Sequence, residues 1–187
     1  MSRAYTIRIS ESIRRHIRVE DGVQTHLEVL AVLSREEMTE LLAKQLVELG
    51  FEREGDVLSR VDEDGVSISI DAATSTVTVR LSAEADVEKS VERTARIYEE
   101  RLVEGRASLA KKARAELESH VDDERARLTG EVAEKLEAKL RDLRRELDGA
   151  ATRATAAALK VRAAQLGEIQ QIEENEETGE ITIRVKV

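Results

Sequence analysis

Apolar and polar positions change their spacing repeatedly along this chain, and each change marks a predicted element. Near the start, Tyr5, Ile7 and Ile9 alternate with Thr6 and Arg8, the two-residue period of a half-buried strand. Ile17 and Val19 lead into Asp21-Gly22, beyond which Val23, Thr25, Leu27 and Val29 alternate again. Asp-Gly between two alternating runs predicts a hairpin, because Gly accepts positive φ without steric cost. Ser34-Arg35-Glu36-Glu37 then has the form of a capping box, in which Ser34 and Glu37 satisfy each other's backbone donors. Met38, Leu41, Leu42, Leu46 and Leu49 follow on one helical face, and Gly50 supplies a stop. Strands are expected near 57–61, 66–70 and 76–81, separated by Asp64-Gly65 and by Ala72–Ser75. Residues 1–81 therefore read as an α+β domain: a small antiparallel sheet with one covering helix.

From Glu84 to Leu166 only Gly105, Gly130 and Gly149 oppose a helix, each at roughly 1 kcal/mol relative to Ala. Glu92 with Arg96, Asp123 with Arg127, Glu131 with Lys135 and Glu137 with Arg141 have the favourable i,i+4 order. An apolar stripe runs through Leu102, Gly105, Leu109, Ala113, Leu117, Val121, Glu124, Leu128, Val132, Leu136, Leu140, Leu143 and Leu147. Its mean step is about 3.75 residues, above the 3.6 of a straight helix, so it faces a partner throughout only if the pair winds right-handed. Too long for an 81-residue domain to cover, the stripe predicts a coiled-coil helix over 82–166. Leu102, Leu109, Leu117, Val121, Leu128, Val132, Leu136, Leu140, Leu143 and Leu147 are the candidate partner-binding residues. A break near Asp122–Gly130 would instead fold the segment into a helical hairpin. The stripe passes through Thr129-Gly130 in register, however, which a turn has no reason to preserve.

After Gly149 the helix face turns to alanine: Ala150, Ala151, Ala154, Ala156, Ala157 and Ala158. Beyond Gly167, Ile169 and Ile172 precede an acidic turn from Glu173 to Gly179. Ile181, Ile183, Val185 and Val187 then alternate with Thr182, Arg184 and Lys186. Residues 167–187 thus form a β-hairpin, which is marginal alone in water and needs a sheet or subunit to dock on.

Composition sharpens this division. Charged residues make up 37% and aromatics 2%, with no Trp and no Pro, so any core is aliphatic and small. The formal net charge of −9 opposes nonspecific nucleic-acid binding. Acids and bases balance over 82–166, as expected of ion pairing along a solvated helix. With no Cys there is no disulfide and no thiolate site. No signal-like N-terminus and no span of 18 apolar residues is present, so a cytoplasmic, membrane-free protein is expected.

Little in the chain carries catalytic chemistry. His16 and His26 flank Asp21-Gly22 and would approach across the expected hairpin, with Glu28 nearby as a third metal ligand, but polar positions on a strand face explain them more simply. His120 lacks a second ligand of the His-Glu-x-x-His type. Gly50–Gly55 has acids and Asp56 where a phosphate-binding Lys would be needed, and no Gly-x-Ser-x-Gly frame occurs. No enzyme, cofactor or metal is expected. Two basic patches, Arg101, Arg106, Lys111, Lys112 with Arg114, and Arg153, Lys160 with Arg162, lack interleaved aromatics for base stacking.

The opening Ser2-Arg3-Ala4-Tyr5-Thr6-Ile7-Arg8-Ile9-Ser10-Glu11-Ser12, with Val19-Glu20-Asp21-Gly22-Val23, resembles accessory proteins of bacterial FtsH ternary systems, a class of multi-gene NTPase conflict system. That resemblance implies a non-enzymatic component working beside an AAA-type ATPase, and it assigns no functional residue. Together these features predict a non-catalytic scaffold or adaptor subunit of a multi-protein bacterial complex. It would self-associate into a homo-oligomer, or bind a protein partner, through the long helix. The alternatives are a regulatory module for a ligand or nucleic acid in which the helix only dimerises, and a stalk-like element.

Overall fold

A computed structural model of the chain describes residues 4–175 and 180–186. Ser2, Arg3, most of the expected acidic turn (176–179) and Val187 lie outside the described residues. The fold is α+β: β1 (Ala4–His26), α1 (Arg35–Glu48), β2 (Glu52–Glu54), β3 (Val57–Val61), β4 (Ser67–Asp71), β5 (Thr76–Tyr98), a 3-10 turn (Glu99–Arg101), α2 (Leu102–Leu166), β6 (Glu168–Asn175) and β7 (Glu180–Lys186). Five strands form one sheet in the order β1-β5-β4-β3-β2, and β6 pairs with β7 in a separate hairpin.

The chain divides into two compact units. The first takes residues up to Asp21 and Ser82–Glu134; the second takes Gly22–Leu81 and everything from Lys135 onward. Residues 4–21, grouped by the sequence with 22–81, therefore sit in a different unit from them.

Two expectations for the first unit are overturned. Asp21-Gly22 makes no hairpin: β1 runs through it as a single strand of 23 residues. Residues 84–98 are not helical either, because β5 continues through them to Tyr98, also for 23 residues. The cause is the same in both places. Each strand finds its partner in the other, far away in sequence, and that pairing outweighs the local turn and i,i+4 signals. Glu92 accordingly meets Arg8 across the ribbon at 2.7 Å rather than Arg96 along a helix.

Alternation along the ribbon sets one face inward. Ile17, Val87, Val121 and Leu128 form a buried cluster, with Ile13, Val19, Ala83 and Ala85 packed around it. At the margins, ion pairs tie ribbon to helix: Arg93 Nε donates to Glu116 at 3.0 Å, Arg114 to Glu11 at 3.2 Å, and Arg15 lies 3.8 Å from Glu118. The cover expected from a second helix is thus supplied by a strand pair. A stripe stepping at more than 3.6 residues requires a surface that turns right-handed, and strands carry that twist intrinsically. Gly105 has its own reason here. A Cβ on it would run into the Ile97 side chain, so a larger residue there fits only if that side chain shifts.

The second unit follows the sequence more closely. Ser34 caps α1 in a full capping box: its hydroxyl accepts from the Glu37 N–H, and the Glu37 carboxylate accepts from the Ser34 N–H at 3.0 Å. Gly50 follows α1 with φ +84°, a region that favours glycine. β3, β4 and β5 form an antiparallel meander with Leu58 opposite Ile70, and Ile70 opposite Val77. Leu58, Ile68, Ile70, Val77 and Val79 are fully buried, whereas Val57 and Val61 on the other face are exposed. One sheet face is therefore covered and the other open to solvent.

α2 is a single helix of 65 residues with no break near Asp122–Gly130, and it ends at Leu166 as expected. Its C-terminal half is fastened to the covered face of the second unit. Arg60 on β3 makes a two-pronged contact with Glu146 at 2.8 Å for each prong, and also donates to the Leu49 carbonyl at 2.7 Å. The Arg60 guanidinium lies 4.4 Å from the Phe51 ring centre. Lys139 pairs with Asp62, and Arg153 donates to Gln45 at 2.8 Å.

Candidate partner-binding groove

A concavity of about 730 Å³ lies wholly within the second unit. One wall is the C-terminal end of β1 with the segment that follows it, including Val23, Thr25, Leu27 and Leu30. The opposite wall is the face of α2 carrying Leu140, Leu143, Leu147, Ala151 and Leu159. Val77 contributes from β5 and Ile181 from β7.

Each wall is placed by features already described. The ion pairs of Arg60 with Glu146 and Lys139 with Asp62 hold α2 against the sheet at the groove's level. Hydrogen bonds from Arg60 hold the Glu146 carboxyl below the usual glutamate range against the opposing effect of burial. At Asp62, burial pushes the carboxyl upward. The Lys139 ammonium and the N–H groups of Val66 and Asp64 outweigh that and leave it lowered. Both acids are therefore charged near neutrality, as clamping needs.

Small residues shape the helix wall. Ala150, Ala154 and Ala158 are fully buried, letting the backbone approach the unit, while Thr152 and Thr155 lie at the groove. Leu30 is 69% exposed and Leu159 37% exposed at its margins, although both are large aliphatic side chains. The polar contributions come from His26, Glu28, Arg144 and Asp148. This is an apolar trough with a mixed-charge rim. It offers burial and orientation to another molecule.

The ten candidate residues on the stripe fall differently. Leu117, Val121, Leu128, Val132, Leu136, Leu143 and Leu147 are at most 5% exposed within this one chain. Leu102, Leu109 and Leu140 are half-buried. The stripe as a whole is thus core, and only Leu140, Leu143 and Leu147 also reach the groove. Sequence reasoning missed Val23, Leu30, Leu159 and Ile181. No local signal set them apart, since Leu30 sits among Val29, Val32 and Leu33 and Leu159 closes a run of alanines.

Other candidates resolve simply. His16 and His26 lie on the same strand, with no hairpin to bring them face to face. His16 instead contacts Asp86 at 3.0 Å and Glu84 at 3.6 Å, and His26 Nδ1 is 3.5 Å from the Thr76 hydroxyl. Among the described residues no group of three or more His, Asp or Glu side chains is arranged to hold a metal ion. In the first basic patch, Arg114 is paired with Glu11. In the second, Arg153 bonds to Gln45 and Arg162 to Gln165. No described helix is long and apolar enough to cross a membrane.

Fold and groove define an α+β protein in which strand and helix enclose an open apolar trough. The chain belongs to the family described as FtsH ternary system domain X5, whose pattern it matches over residues 1–187. It is therefore an accessory domain of a multi-component FtsH ternary system, as the resemblance of its opening residues implied. No curated protein and no solved structure shows a match to it.

Proposed function

We propose that the chain is a non-catalytic adaptor subunit in the cytoplasm, binding a protein partner of its FtsH ternary system through the groove of the second unit. The observation that carries this reading is the groove itself, an apolar trough edged by the exposed Leu30 and Leu159 beside a well-packed core. Large aliphatics left exposed beside a concave apolar surface are what a contact site presents. The family supports a protein partner, since a ternary system has several components, and an AAA-type ATPase is the first to test. Self-association through the stripe loses its motive, because the stripe's buried residues already serve the chain's own core.

The test is co-expression with the ATPase and remaining components of the system, followed by size exclusion with light scattering. An adaptor co-elutes with at least one component, and Leu30→Glu combined with Leu159→Glu removes it from that peak without loss of helical or β signal. Failure of the wild-type chain to co-elute with any component would defeat the adaptor role.

A further inference from the structure

We propose that two copies of the chain pair through the open edge of β1 in the first unit, antiparallel and two-fold about Ile13. The product is a four-stranded sheet backed by two α2 helices. It uses residues of the first unit only and is independent of what the groove binds. β1 is outermost in its sheet, with β5 as its one neighbour, so no described strand satisfies the backbone groups along its other edge. The packed face of that edge is also incompletely covered. Ile17 is buried, but Ile7, Ile9, Ile13 and Val19 are only half-buried.

This edge is complementary to itself. A two-fold antiparallel pairing sets every residue against its mirror position, and around Ile13 the two directions match. On the inward face Ile13 meets itself, Ile9 meets Ile17, Ile7 meets Val19 and Glu11 meets Arg15. Matched apolar side chains and opposite charges across two strands stabilise a pairing and fix its register. The one like-charged pair, Arg8 with Arg18, is relieved within each chain: Arg8 has Glu92 at 2.7 Å and Arg18 has Glu84 at 3.6 Å. The edge of β5 lacks this symmetry. A two-fold about Val91 sets Lys89 against Arg93, and one about Ser90 sets Glu88 against Glu92.

The same axis suits α2. Glu11 lies 3.2 Å from Arg114 and Arg15 lies 3.8 Å from Glu118, so residue 13 of the strand stands level with residue 116 of the helix. Arg93 of β5 also reaches Glu116, which places the helix over both strands. Ribbons joined edge to edge repeat every two strands, about 10 Å, and packed helices stand about 8–10 Å apart. α2 therefore meets its copy antiparallel about residue 116. Residues 101–114 hold five bases and one acid, whereas the 118–131 they would adjoin hold five acids and two bases. Arg114 comes beside Glu118 of the second copy. The first basic patch, which the groove leaves unexplained, gains an acidic neighbour.

Size exclusion with light scattering on the full chain should give twice the mass of one chain. Single cysteines then report the register, because the chain has none of its own. Directly opposed Cα atoms in an antiparallel pair are about 4.5–5.5 Å apart, within disulfide reach, so Ile13→Cys should cross-link to itself on mild oxidation. Ser10→Cys should not, because its two copies would lie six residues apart along the strands, roughly 20 Å. Ser12→Lys sets a lysine against Arg14 of the second copy, twice per dimer. Within its own chain it faces Glu88, midway between the Arg8–Glu92 and His16–Glu84 contacts, so the fold is kept. Its dimer dissociation constant should rise about tenfold with circular dichroism unchanged. A monomeric mass at high micromolar concentration, cross-linking by Ser10→Cys and not Ile13→Cys, or a Ser12→Lys dimer as tight as wild type would overturn the pairing. If Ile13→Cys loses its fold, Ser12→Lys decides alone. Co-elution with a component of the system tests the groove separately, and its failure would leave the dimer standing.

Discussion

Removing the Glu146 carboxylate tests whether α2 is clamped to the sheet as described. In Glu146→Ala, Arg60 keeps its place over Phe51 and its bond to the Leu49 carbonyl but loses its counter-charge. The two side chains are 22% and 30% exposed, between the solvated and buried limits. Exposed pairs contribute 0 to about 1 kcal/mol, whereas stranding one partner of a buried pair costs about 3–5 kcal/mol. The intermediate exposure and two-pronged geometry place the loss at about 2 kcal/mol. A urea midpoint should fall by about 0.7–1 M, given a slope near 2–3 kcal/mol/M for a chain of this size. Because two units need not unfold together, hydrogen exchange resolved over β3 and the Glu146 turn of α2 is the better readout. Arg60→Met combined with Glu146→Leu should recover most of the loss, since apolar replacement removes both charges at once. The pH dependence has a definite sign. Glu146 has a lowered folded-state value, so its contribution is complete above roughly pH 4.3, the ordinary glutamate range. It is lost as pH falls through the lower folded value, and the gap between wild type and Glu146→Ala should close there. A cost under about 0.5 kcal/mol at pH 7, or a gap that widens in acid, would show the pair to be a solvated surface contact.

Leu117→Ala should destabilise the first unit by about 2–4 kcal/mol, read as faster exchange in residues 4–21 and 82–98; a loss below about 1 kcal/mol would mean that the stripe is not core. Gly105→Ala should be destabilising despite the better helix former, because its methyl meets Ile97, and Ile97→Ala should relieve it in a double-mutant cycle. Gly130→Ala meets nothing within 4 Å and should stabilise by up to about 1 kcal/mol in thermal denaturation, so like effects at the two glycines would contradict the ribbon contact. Ser34→Ala should cost about 1 kcal/mol through loss of the cap, and an unchanged urea midpoint would show that the capping box contributes nothing.

What the sequence determined by itself was whatever short-range chemistry controls. The Ser34–Glu37 capping box, the Gly50 stop, the meander over 57–81, the end of the helix before Gly167 and the alternation of the final hairpin each depend on residues a few positions apart. The stripe from Leu102 to Leu147 was legible as well, including its period and its need for a cover. Tertiary structure decided what that cover is. Residues 83–97 carry Ala83, Ala85, Val87, Val91, Ala95 and Ile97 at a two-residue period. With small residues and many charges, that period is a weaker local signal than the Glu92–Arg96 helical pairing. Likewise, Asp21-Gly22 is a turn signal only if the strands on either side pair with each other, and both pair with β5 instead. Local propensity differs between strand and helix by tenths of a kcal/mol per residue, while burying a Leu or Val side chain is worth about 1.5–3 kcal/mol. The long-range option that buried Ile17, Val87, Val121 and Leu128 together therefore prevailed. The groove was least legible of all, since it is drawn from residues 23–30, 77, 140–159 and 181, and only folding places that edge, that helix face and that strand side by side.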